Sequence, residues 1–98
     1  MSSRDIATHR AYARRHAMKR AWHRFGLAIG EGELREIERN LVDGLYAWVA
    51  DLAGCCVAYE VRFRDRVLFA VFNIRLWAVV TFLPSEAWAR RFAIRSRS

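Results

Sequence analysis

His9, His16, Arg20 and His23 are the residues whose types and spacing first suggest chemistry. On a 3.6-residue helix they fall within about 60° of one another, a stripe that mixes imidazole with guanidinium. Imidazole exchanges protons near neutrality and guanidinium grips phosphate through paired hydrogen bonds, so the stripe suits phosphodiester chemistry or the tracking of a phosphate backbone. A merely solvated helix face has the same pattern. Spacing argues against a metal: successive histidines seven residues apart stand roughly 10 Å apart along the axis, too far to share one ion. Cys55 and Cys56 lie on another segment, and neither HExxH nor CxxC occurs. No metal and no other cofactor is expected.

The basic side chains define the second candidate chemistry. Sixteen of the seventeen are Arg and one is Lys, a bias that favours bidentate contact with phosphate, although a compositional bias of the coding sequence has the same result. Residues 1–24 hold seven of them against Asp5, whereas residues 31–53 hold six acids against Arg35 and Arg39. The basic field therefore belongs to the first segment, with Arg14, Lys19, Arg20 and Arg24 as its phosphate-facing candidates. Arg62, Arg64 and Arg66 extend it from a later strand. Arg35 and Arg39, set among acids, are expected to contribute less.

These side chains must be positioned by few elements, because 98 residues close only one modest core. From Asp5 to about Phe25 there is no Gly or Pro, and Ala7, Ala11, Met18, Trp22 and Phe25 recur at helical spacing, predicting a first helix that buries that stripe. A second helix follows Gly30-Glu31-Gly32, carries acids in its first turn, and buries Leu34, Ile37 and Leu41 before Gly44. Residues 45–53 fit either a continuation of that helix or a strand, and Tyr, Trp and Val there favour the strand. After Gly54 the period becomes two: Cys55, Val57, Tyr59, Val61 and Phe63 form an apolar face and Cys56, Ala58, Glu60, Arg62 and Arg64 a polar one. Arg64-Asp65-Arg66 turns this strand around; Val67–Phe72 and Val79–Leu83 read as two more, and Pro84-Ser85-Glu86 starts a short helix through about Phe92. The expected fold is α+β: two N-terminal helices on one face of a three- to four-stranded antiparallel sheet, then a short C-terminal helix. Residues 1–93 form the domain and 94–98 a basic, flexible tail.

The run His16-Ala17-Met18-Lys19-Arg20, then Arg24-Phe25-Gly26-Leu27, then Phe72-Asn73 leading to Val79-Val80-Thr81-Phe82-Leu83-Pro84, resembles small bacterial and phage domains related to the barnase, EndoU, colicin and RelE-like ribonucleases. The resemblance covers roughly residues 9–84 and implies metal-independent cleavage of RNA, in which the ribose 2′-hydroxyl attacks the adjacent phosphate. It casts His16 as general acid or base, Arg20 as phosphate clamp and Thr81 as a hydrogen-bonding group on the last strand. Two features depart from the pattern. Ile74, Leu76 and Trp77 occupy a turn that is usually polar, and such apolar groups mark a partner interface. A first helix packed on its apolar stripe also turns His16 away from the sheet and from Thr81.

Composition limits the remaining classes. A net charge of +7 and a pI near 10.7 point to RNA or another polyanion, with an acidic protein such as an antitoxin, or a second copy of the chain, as further partners. At 54% apolar with thirteen aromatic residues the chain is too hydrophobic for a disordered tail. No apolar run is long enough to span or enter a membrane, and the adjacent cysteines cannot staple distant segments, so the expected setting is the cytoplasm of a bacterial or phage-infected cell, or a virion. Two functions remain in view: an RNA-binding protein of toxin-type endoribonuclease character, and a non-catalytic interaction protein that uses the basic surface and the Trp77 turn.

Overall fold

The computed structural model describes residues 3–94. Helix α1 (Ser3–Phe25) ends where Gly26 adopts the left-handed conformation at φ +64°; the Gly26 N–H donates to the Trp22 carbonyl and the Leu27 N–H to that of Ala21. Helix α2 (Glu31–Val42) opens with the Glu33 carboxylate accepting the Gly30 N–H and closes at Gly44, φ +76°, with the Leu45 N–H on the Asn40 carbonyl. That closure decides the ambiguous stretch: strand β1 (Ala47–Leu52) follows instead of more helix. Strands β2 (Cys56–Phe63), β3 (Arg66–Asn73) and β4 (Ala78–Leu83) complete an antiparallel sheet in the order β1-β2-β3-β4, and α3 (Glu86–Arg91) ends the domain. The chain has the expected α+β fold.

Helices α1 and α2 cover one sheet face. Ala17, Ala21, Ile29, Leu34, Ile37 and Leu41 pack there on Val61, Leu68, Ala70, Phe72, Val79 and Phe82. The reverse face carries a smaller cluster in which Ala89 of α3 meets Val49, Ala50 and Ala58, with Leu52, Phe69, Leu83 and Ala93 around them. One sequence expectation is corrected here. Ala58, assigned to a polar face, is fully buried, because α3 covers that end of the sheet. Ala93 bridges Leu52, and the Ile94 N–H donates to the Asp51 carbonyl, so Ile94 is tied to the rim of β1 while residues 95–98 of the expected tail lie outside the described residues.

A second correction concerns α1. Its buried seam is Ala13, Ala17 and Ala21, whereas Trp22 is 58% exposed and Ala7 and Ala11 are exposed as well. The seam lies about 100° around the helix from the stripe that the larger side chains suggest. Small residues bring α1 close to β4, and the arginines flanking the seam reach past it. Arg10 Nε donates to the Leu76 carbonyl of the β3–β4 turn at 2.8 Å and Arg24 Nη1 to the Phe82 carbonyl of the edge strand β4 at 2.7 Å, so side chains of α1 hold both the turn and the edge strand.

Candidate nucleic-acid interface

The three residues cast for catalysis are not brought together. Phe82 and Val79 both face the helices, which requires the irregularity that the register shows between the Val71–Thr81 and Phe72–Val79 pairs. Thr81, paired with Val71 and neighbour to Phe82, therefore points to the reverse face. His16 belongs to α1, which covers the other face of the sheet, and is exposed there in a shallow depression with Tyr12, Arg15 and Lys19. Arg20 Nε donates to His16 Nε2 at 3.4 Å, a long contact within one helix face. The expectation that His16 turns away from Thr81 agrees with this geometry, though for a different packing of the helix.

The residues assigned to phosphate also disperse, and four of the six besides Arg20 have internal work. Arg14 donates to Glu38 through Nε and Nη2, at 3.0 and 2.7 Å to Oε1, with its side chain 16% exposed. Arg24 holds the β4 edge. Arg64 Nη2 meets both Glu33 oxygens at 2.8 and 2.7 Å while its Nη1 reaches the Ala28 carbonyl, and Arg66 Nη1 donates to the Phe25 carbonyl at 2.7 Å. These contacts anchor the β2–β3 turn, where Arg64 and Asp65 both have positive φ, to the loop between the helices. The Glu33 carboxyl is held below its ordinary range, first by the Gly30 N–H and then by Arg64. Lys19 and Arg62 make no ion pair among the described residues.

One site does converge, and it joins two sequence candidates, Arg14 and Trp77, to Arg35 and Arg39, which the sequence reading set aside, and to Arg10 and Glu38, which it did not single out. An open cleft of about 420 Å³ between α1, α2 and the β3–β4 turn is lined by Arg10, Arg14, Arg35, Glu38, Arg39, Val42 and Trp77. Glu38, 6% exposed, is the one buried charged residue among those described. Besides Arg14, it accepts the Val79 N–H at 2.8 Å, so it fastens α2 to the sheet edge and to α1 at once. Four guanidiniums around one carboxylate leave the cleft strongly positive. Arg10 and Arg14 are fixed by their bonds to Leu76 and Glu38; Arg35 has only an exposed pair with Glu31, and Arg39 has no ion pair among the described residues.

Trp77 forms the aromatic wall. It is 51% exposed and sits at φ +59°, a conformation that bulky side chains rarely adopt. Its N–H donates to the Asn73 carbonyl at 2.8 Å, the Asn73 side chain accepts the Arg75 and Leu76 N–H groups, and the indole meets the Phe72 ring edge-on at 5.3 Å. Strain of this kind gathers at functional sites. The three residues assigned to one apolar patch separate: Trp77 faces the cleft, Leu76 lines another recess with Ile6 and Asn73, and Ile74 is half exposed at the turn.

Comparison with protein-family models, curated proteins and solved structures finds no match. The cleft is therefore read on its chemistry alone. Among the described residues no three His, Cys, Asp or Glu side chains gather as a metal site requires, and no helix is long and apolar enough to cross a membrane. Fixed guanidiniums, freer guanidiniums and an indole together can hold an anion beside a planar group. Glu38 was detectable in the sequence as the carboxylate falling inside the Leu34, Ile37 and Leu41 stripe. Arg35 and Arg39 had no such signal, because which cations they join is decided by tertiary packing: Glu33 is taken by Arg64 and Glu38 by Arg14, and α1 brings Arg10 and Arg14 alongside.

Proposed function

We propose that this protein binds RNA without cutting it, using the cleft between α1, α2 and the β3–β4 turn, in the cytoplasm of a bacterial or phage-infected cell. The observation that carries the reading is the gathering of four arginines around one buried carboxylate in a single open cleft. Phosphate contacts supply most of the affinity in such sites, and basic grooves with an aromatic wall suit nucleic acid. Relationship to RelE-like ribonucleases is part of the proposal and rests on the short motifs quoted above. Within it, the separation of His16 from Thr81 favours binding over catalysis, because a general acid or base must reach the proton it moves.

The test is incubation of the protein with end-labelled RNA in EDTA, with binding followed by fluorescence anisotropy and strand integrity by gel. The expected result is salt-sensitive binding of RNA that stays intact. No binding at low salt overturns the proposal. Cleavage that disappears in His16→Ala overturns its non-catalytic half and restores the ribonuclease reading.

A further inference from the structure

Resting on the RNA-binding reading, we infer that the cleft seats one unpaired nucleotide of a single strand, its base against Trp77 and its phosphate between Arg35 and Arg39. The cleft volume of about 420 Å³ falls within the range of sites that enclose one small ligand. Its groups differ in readiness. Arg10 and Arg14 are committed to the Leu76 carbonyl and to Glu38, so they contribute a standing positive field. Arg35 is held only by an exposed pair with Glu31 whose side chains are 57% and 61% accessible, the kind of pair that yields easily to a better acceptor. Arg39 is freer still. Phosphate can thus be met by two guanidiniums without breaking the buried bonds that hold the fold.

Trp77 supplies the selectivity. Phe72 and the Asn73-centred turn hold the indole before any ligand arrives, so little conformational freedom is lost on stacking. A base in a duplex keeps its faces buried in the stack, whereas an unpaired base offers a whole face to an aromatic side chain. An acidic peptide would satisfy the arginines and leave the indole without a planar partner. The occupant that uses every part of the cleft is a single strand.

Three probes of equal length, about eight units each, separate the contributions: a single-stranded oligouridylate, a strand of the same phosphates without bases, and duplex RNA. Stacking is expected to make the oligouridylate the tightest ligand, and Trp77→Ala to weaken it about five- to 150-fold while leaving the abasic strand unchanged. Trp77→Phe keeps a ring and retains most of the affinity, which covers the case in which the alanine variant folds poorly. Arg35→Ala with Arg39→Ala weakens both single strands, and Trp48→Ala, on the far edge of the sheet, affects none. The inference is overturned if Trp77→Ala weakens the base-bearing and abasic strands equally, if it matches Trp48→Ala, or if the duplex binds as well as the single strand. In each of those cases the RNA-binding reading survives. Failure of the wild-type protein to bind any strand, or tighter binding of an oligoglutamate, removes both.

Discussion

Glu38 joins three parts of the molecule through one carboxylate: α2 carries it, α1 supplies Arg14, and β4 supplies the Val79 N–H. Removing it leaves a guanidinium that is 16% exposed without its counter-charge, together with an unpaired backbone N–H in the interior. Breaking one half of a buried pair typically costs about 3–5 kcal/mol, so Glu38→Ala should lower the stability read from urea unfolding by that order. Glu38→Gln should cost less, about 1–3 kcal/mol, because the amide oxygen still accepts a hydrogen bond while the charge is gone. If both variants unfold at the wild-type midpoint, the carboxylate does not hold these elements together. The residue could be located in the sequence, since it shares a helical face with Leu34 and Leu41; its partners could not, because Arg14 and Val79 reach it only through tertiary packing.

At the scale of elements, α1 shows where a hydrophobic pattern misleads. Met18, Trp22 and Phe25 outweigh alanine in any apolar count, yet the seam against β4 is Ala13, Ala17 and Ala21 because close approach needs small side chains and lets arginine reach the strand edge. Ala17→Leu should therefore destabilise the protein by about 1–3 kcal/mol through overpacking. Trp22→Ala, in the stripe expected to be core, should stay within about 1 kcal/mol of wild type. The reverse order in thermal or urea unfolding would place the helix as the apolar stripe suggests. The β2–β3 hairpin, the end of α1 and the start of α2 were legible because they are local: period-two alternation, a glycine stop and first-turn acids lie within a few residues of one another. β1 was ambiguous because Leu41, Leu45, Trp48 and Leu52 keep helical spacing, and the closure of α2 at Gly44 together with pairing to β2 settles it. Thr81 was out of reach for a related reason. One irregularity in the β3–β4 register exchanges the faces of the residues beyond it, and register is set by the partner strand.

For the whole molecule the question is whether binding uses the entire surplus of +7 or the cleft alone. Much of the arginine content has structural employment: Arg10 holds the β3–β4 turn, Arg24 caps the edge strand β4, Arg14 pairs with Glu38, and Arg64 and Arg66 brace the β2–β3 turn. Counterion release converts this distinction into a measurable slope, because the logarithm of single-strand affinity falls against the logarithm of salt by about 0.7 per phosphate neutralised. A diffuse field engaging all seven excess charges would have a slope near −5, whereas the single phosphate held in the cleft, with at most its neighbour along the strand, would have one of about −0.7 to −1.5. The expected result for a short single strand is the shallow slope, made shallower by about 0.7 when Arg35 and Arg39 are both replaced with alanine. Replacing Lys19 and Arg62, which lie outside the cleft, should change it little. A steep slope that Lys19 and Arg62 reduce as much as the cleft arginines do would mean that RNA spreads over the basic surface. The aromatic wall at Trp77 would then be incidental to binding.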